Sequence, residues 1–259
     1  KARKKDGFLN VISIFSFIGI SLGVAVLIIV MSVMNGFRTE LINKIVGFNS
    51  HIIIKTYGNP IDEKKINKKK LKLISKKIVL SNSGEAIILK NDTSKGIFLR
   101  GYKTEDFSTL EIVNNDKFKG NKKPLNKNFI SIGNELSFSL NLKIGDELIL
   151  MSPSGVETII GSMPKQKTFL VTSIYNSGLA DFDNNVAFIN LNTLEDFFDY
   201  KSDDRNLEIY LKNPNNIEEQ KFIFQEIFNE EFVVSWADMN SSLFSALKVE
   251  RNVMFIILS

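Results

Sequence analysis

Few residues in this chain could carry bond chemistry. Asp181 and Asp183 stand two apart, and two carboxylates so placed could flank a scissile bond or hold a cation. The Gly178 before them and Asn184-Asn185 after them instead give the segment the composition of a turn. Asp203-Asp204 forms a second acidic pair with no further signature around it. His51 is the one histidine and lies in an apolar run. A lone imidazole builds no metal site, so its expected role is structural. Asp62 to Ile78 holds eight Lys among Ile66, Leu73, Ile74 and Ile78, the spacing of a surface helix. Such a run can bind anions, although its commoner state is a solvated face. With no Cys at all, disulfides, thiolate metal sites and cysteine nucleophiles are excluded. No Gly-x-x-x-x-Gly-Lys-Ser/Thr phosphate loop, Gly-x-Ser-x-Gly elbow or His-Glu-x-x-His pair occurs. The expectation is a protein with no catalytic residue, no metal and no cofactor.

The elements that would position any site follow from composition and pattern. The 259 residues suit one large domain or two small ones. Against 29 acidic residues stand 33 basic ones, of which only five are Arg (Arg3, Arg38, Arg100, Arg205 and Arg251). Readers of bases and phosphates lean on Arg forks, so this balance weighs against a nucleic-acid partner. From Val11 to Met34 run 24 residues without a charge. As a helix they cover about 36 Å, enough to cross a hydrocarbon core of about 30 Å. Lys1, Arg3, Lys4 and Lys5 precede the run, which puts the N-terminus in the cytoplasm and the remainder across the membrane. A secretory signal peptide also opens on basic residues, but its apolar stretch is about 7–15 residues long and ends at small residues. Here the run is longer and continues into Met34-Asn-Gly-Phe37. Gly19 and Gly23, spaced as Gly-x-x-x-Gly, would let a second helix approach closely.

At the other end, Val253 to Leu258 is apolar but too short to span, and reads as the opening of a second membrane helix cut short. Ser241 to Arg251 before it has the spacing of an amphipathic helix. Between the two ends lie many short strand-like runs: His51–Ile54, Glu85–Lys90, Gly96–Gly101, Phe129–Gly133, Glu147–Met151, Thr168–Ile174, Val186–Ile189, Leu207–Leu211 and Phe232–Trp236. Helical spacing recurs at Asn134–Leu140 and Ile217–Phe228. The fold class is α+β. Ser152 to Pro164 has Pro and Gly at both ends and strands on either side, as a projecting hairpin would. Its apolar Val156, Ile159, Ile160 and Met163 suit either a partner surface or a loop folded back over a core.

Specific stretches carry a family resemblance. Val30-Met-Ser-Val-Met-Asn-Gly-Phe-Arg-Thr-Glu-Leu41 resembles the lipoprotein-releasing (Lol-type) ABC transporter permeases, within the wider MacB/FtsX-like permease superfamily. Further likenesses follow in order: Gly101 after its Ile-Phe-Leu-Arg strand, Leu142-Lys-Ile-Gly-Asp146, Ser152-Pro153 through Gly161-Ser-Met-Pro164, Ser177-Gly178 with Asp181 and Asp183, and Leu243 to Phe255. The resemblance implies a bacterial inner-membrane protein with a cytoplasmic N-terminus (residues 1–7), a first transmembrane helix (8–34) and a helical stalk (35–48). It implies a MacB-like periplasmic domain made of a porter-like subdomain (49–104 and 206–240) and an inserted, mostly β outer subdomain (105–205). A second stalk with the start of transmembrane helix two would fill 241–259. The arm 152–167 would be a hook that recruits a periplasmic lipoprotein carrier through Pro153, Thr158, Ile159, Ile160, Gly161, Met163 and Pro164. The chain departs from the family at Ile159, where relatives often place Pro. Val30, Val33, Met34 and Phe37 would line the cavity for lipoprotein acyl chains. Implied partners are a separate ATPase subunit, a second permease subunit, the carrier and the lipoproteins. Rival readings are an efflux or cell-division permease of the same superfamily, a single-span receptor, or a hydrolase using Asp181 and Asp183.

Overall fold

A computed structural model describes residues 3–56, 60–61, 63–66, 69–91, 93–121, 125–158, 161–214 and 217–258. The chain forms two compact units, one made of Lys1–Asn43 with Asn240–Ser259 and the other of Lys44–Met239.

Helix α1 runs from Arg3 to Phe48 without a break, 46 residues. It holds no Pro, and a Cβ added at its interior Gly19, Gly23 or Gly36 would face open space among the described residues. Its length and composition are those of a membrane span. Phe15, Phe17, Ile18, Ile20 and Leu22 are all more than half exposed. Apolar side chains round the full circumference need an apolar surrounding, which a helix lying on a soluble core does not. The same unit contains α10 (Ser241–Leu258).

In the larger unit, one ten-stranded sheet organises the chain. Its strands are β1 (Ile52–Lys55), β2 (Ser75–Lys90), β3 (Thr93–Tyr102), β4 (Lys119–Gly120), β5 (Phe129–Gly133), β6 (Glu147–Thr158), β7 (Gly161–Tyr175), β8 (Val186–Asn190), β9 (Asn206–Leu211) and β10 (Phe232–Ser235). The order across the sheet is β10-β1-β9-β2-β3-β8-β5-β7-β4, with β6 bonded to β2 and β7. Sixteen residues long, β2 spans the sheet. Ser75 to Ser81 pair with β9, Ser81 to Lys90 with β3, and Ile87 to Leu89 with β6. Most neighbours are antiparallel, while β3–β8 and β5–β7 run parallel.

Among the described residues, two apolar clusters are built on strands of this sheet. One gathers Ile88, Leu99, Ile132, Leu150, Phe169, Leu194 and Phe197. The other is aromatic and gathers Phe48, Tyr102, Phe107, Tyr175 and Phe188. Phe48, the last residue of α1, stacks on Phe182 at 4.5 Å between ring centroids. Burying such rings stabilises by about 1.5–3 kcal/mol each.

Every expected strand run forms a strand, several of them longer than their apolar runs. Three local expectations are corrected. In the Lys-rich stretch, α2 (Glu63–Ile66) and α3 (Lys69–Ile74) are helical as expected, but the chain is already strand from Ser75, so the helix does not reach Ile78. Pairing with β9 and the β-branched Ile78 and Val79 outweigh the helix preference of Lys there. Nor is that Lys run simply solvated: Lys65 pairs with Glu231 at 2.8 Å, and Lys77 donates to the Asp106 carbonyl. The turn expected at Asp181–Asn185 is a helix, α6 (Ala180–Asn185). Helices α4 (Thr104–Ser108) and α7 (Leu191–Phe198) went unforeseen. The signal for α7 was present, since Asn190 caps the amides of Asn192 and Thr193 ahead of Leu191, Leu194 and Phe197 at helical spacing.

Candidate functional site

Three features bear on function: the β6–β7 hairpin, the groove beside α10, and the buried polar groups of the sheet.

Met151 to Thr158 and Gly161 to Gln166 form the expected hairpin, with Gly155 opposite Pro164, Val156 opposite Met163 and Thr158 opposite Gly161. An irregularity between Met151 and Gly155 breaks the register at the base. Bulges of this kind bend and twist a strand pair. At the tip Gly161 has φ +117°, a conformation that L side chains rarely adopt. Ile159 and Ile160 lie outside the described residues, and the Thr158 backbone belongs to β6. Pro153 and Pro164 are exposed, and so is Met163 at 57%. At the base, Lys165 donates to the Asp196 carbonyl and sits 2.8 Å from the Asp199 carboxylate, which ties the arm to the end of α7. Pro153 also borders an open groove of about 370 Å³ with Ala86, Ile87, Ile97 and Phe98.

In the smaller unit, Met31, Met34, Asn35 and Arg38 of α1 face Leu247, Glu250 and Met254 of α10 across a cleft of about 40 Å³. Each set recurs at three- and four-residue steps, so each is one helix face. Of the four expected cavity residues, only Met34 lines this cleft. Val30, Val33 and Phe37 are exposed on α1.

The candidate catalytic acids do not come together as a pair. Asp181 is exposed and accepts from the Asn185 side chain at 2.8 Å. Asp183 is 2% exposed and accepts from the Ser177 amide at 2.8 Å. Burial raises its carboxyl above the usual range, against the pull of the Ser177 donors. One acid is solvated while the other is buried on the Ser177 amide, so the two carboxylates stand in different surroundings. Asp203 and Asp204 sit in a single 3-10 turn, where Asp204 accepts from the Lys201 amide.

His51 has the structural place expected of it. Its Nδ1 accepts the Leu211 amide at 2.8 Å, and its backbone bridges Ile209 and Trp236. Burial lowers the imidazole below its ordinary range, keeping it neutral and able to accept.

Sequence reasoning missed the buried ion pair. Arg100 of β3 donates to both oxygens of Glu208 of β9, at 3.2 and 3.1 Å. Glu208 also accepts from Ser81, Tyr102 and Tyr210 at 2.6, 2.8 and 3.3 Å. Burial alone would raise the Glu208 carboxyl, but the Arg100 charge and the hydroxyl donors hold it below the usual range. A Glu amid strand residues 207–211 was the available signal.

Residues 13–226 match the sequence profile of the MacB-like periplasmic core domain. The chain belongs to that family. The MacB-like match begins inside α1 and ends inside α8 (Ile217–Ile227), so it contains the hairpin and the Arg100 cluster. Among curated relatives, the lipoprotein-releasing system transmembrane protein LolC of Neisseria meningitidis is 27% identical over 280 residues, covering all of this chain and 64% of its own length. LolC of Buchnera aphidicola from Schizaphis graminum is 29% identical over 95% of this chain and 62% of its own length. The transmembrane protein LolE of Haemophilus influenzae is 24% identical over 99% of this chain and 64% of its own length. The chain thus spans less than two thirds of each of these MacB-like relatives. The periplasmic region of MacB from Actinobacillus actinomycetemcomitans superposes with a TM-score of 0.47 at 10% identity, covering 78% of this chain and 95% of that one.

Proposed function

We propose that the protein is a permease subunit of an ABC transporter that takes lipoproteins from the outer leaflet of the bacterial inner membrane and hands them to a periplasmic carrier. The observation that carries this reading is similarity to proteins named as lipoprotein-releasing system transmembrane proteins along essentially the whole chain. In this reading the N-terminus is cytoplasmic, α1 crosses the membrane from residue 8 to 34 and continues as a stalk, and the larger unit is periplasmic. The body divides into a porter-like part and an outer part carrying the hook.

The work is mechanical. Withdrawing an acyl chain from lipid costs about 0.8 kcal/mol per CH₂, so release needs both an apolar receiving surface and an energy source. The apolar part of the cleft at the end of the membrane segment, Met31, Met34, Leu247 and Met254 beside Asn35, Arg38 and Glu250, suits the first need. A separate ATPase subunit meets the second, acting on this chain and a second permease subunit. The exposed Pro153, Met163 and Pro164 of the hairpin, with Thr158, Ile159, Ile160 and Gly161 from the sequence between its strands, are the contact for the carrier.

The test is reconstitution of the full-length protein with its ATPase and paired permease in proteoliposomes holding an acylated lipoprotein. ATP should drive transfer of the lipoprotein to soluble carrier. Met163→Asp should cut carrier capture about tenfold or more, since a charge replaces an apolar contact, while ATPase rate and thermal unfolding stay unchanged. Absence of ATP-dependent transfer by the wild type would overturn the reading. Undiminished carrier capture by Met163→Asp would remove the hairpin from it.

A further inference from the structure

The last turn of α1 enters the aromatic cluster of the larger unit, where apolar contacts alone would let it slide or rotate. Phe48 packs against Tyr175, Phe182 and Phe188. Such contacts have little directional preference. One buried group adds direction. Arg100 is 7% exposed, and its guanidinium lies over the rings of Phe48, Tyr102 and Phe188 at 5.7, 5.4 and 5.9 Å. One of its terminal nitrogens donates to Asn49 Oδ1 at 3.4 Å, and the other grips Glu208. Asn49 in turn bonds through its amide to the Ile45 carbonyl, closing the helix. A single fork therefore holds the helix end by one tine and a strand by the other.

The strand held is not a neighbour of the strand that supplies the Arg. In the sheet, β9 and β3 are separated by β2, and Ser81 of β2 completes the bridge with its hydroxyl on Glu208. β9 is also bonded to β1, the first strand after α1, with Glu208 opposite Ile53. Three strands, β2, β3 and β9, thus supply side chains to one buried charge pair at the point where the stalk helix ends, with β1 paired beside β9.

Stability does not account for this arrangement. A buried ion pair commonly adds no more than apolar residues of equal volume would, because desolvation offsets its attraction. What such a pair does provide is a fixed geometry. We infer that Arg100 is a positioning residue that locks the end of α1 to β2, β3 and β9, so that displacement of the helix moves the sheet as one piece. This role rests on the transport reading above.

The experiment uses the full-length protein in the reconstituted complex and follows ATP hydrolysis, lipoprotein transfer and thermal unfolding together. Arg100→Lys keeps the charge beside Glu208 but cannot form the planar fork that also reaches Asn49 and stacks on Phe48. The expected result is about fivefold or greater loss of lipoprotein transferred per ATP hydrolysed, with ATPase rate and unfolding midpoint near wild type. A purely structural role would instead lower hydrolysis and transfer together. Wild-type transfer per ATP by a normally folded Arg100→Lys protein overturns the inference and leaves the transport reading intact. Failure of the wild type to transfer lipoprotein overturns both. If Arg100→Lys folds poorly, the double variant Arg100→Met with Glu208→Met leaves no unpaired buried charge and carries the same expectation. Full transfer per ATP by that variant likewise overturns it.

Discussion

His51 shows how one side chain can be read correctly in kind and still hold a surprise in detail. Its solitude and apolar neighbours mark it as structural. What it does is extend a strand, since its ring nitrogen accepts the amide of Leu211, 160 residues further along. A neutral imidazole is required, and burial depresses its folded value below the 6.5 of a free side chain. The unfolded chain then binds the extra proton, so the contribution of His51 is full above about pH 6.5 and is lost as pH falls through the lower folded value. Unfolding midpoints followed by the fluorescence of Trp236, the single Trp, should therefore fall from pH 7.5 to pH 5. His51→Leu should flatten that fall and cost about 1–3 kcal/mol at pH 7.5, because the Leu211 amide loses its acceptor. An equal pH slope in both proteins would refute this role. The Arg100–Glu208 pair was not legible in the same way. Glu208 stands out within its strand run, but nothing local names its partner 108 positions away.

Among the elements, those with a strong local period were legible and those set by contact were not. Runs such as Phe129–Gly133 and Val186–Ile189 are rich in β-branched and aromatic residues, and each became a strand with buried residues along it. Helix α6 was hidden, because its Asp and Asn content favours turns and its form depends on packing. Gly133, at the end of β5, is where that packing is tightest. A Cβ there would stand 2.0 Å from the Asp183 carbonyl oxygen, a backbone atom that cannot step aside. Gly133→Ala should accordingly destabilise by about 1–3 kcal/mol or more, with the segment from Ser177 into α6 loosened first. Hydrogen exchange at the Ser177 and Asp183 amides, together with the unfolding midpoint, measures this. Unchanged exchange at both would contradict the close approach. The hairpin lies between these cases: its Pro and Gly punctuation was visible, whereas the bulge at its base and the Lys165 anchor depend on β7 and α7 being side by side.

At the scale of the whole molecule, the membrane reading makes a topological prediction, tested by single Cys introduced where these 259 residues have none, with any Cys elsewhere in the protein replaced by Ser. Lys127→Cys, at an exposed position of the larger unit, should react with an impermeant maleimide added outside intact spheroplasts. Lys5→Cys should react only after permeabilisation. The reverse labelling pattern would turn the protein over and remove the periplasmic assignment. By itself the sequence determined the membrane-length helix, the α+β alternation and the existence of an arm, because each is written in the spacing of residues a few positions apart. Only the tertiary structure decided that the two aspartates part company, that Met34 alone of the four cavity candidates lines the cleft, and that Arg100 meets Glu208 across an intervening strand. Those outcomes depend on which distant segments share a buried space, and on the need of every charge left there to find its counter-charge, which no local period encodes.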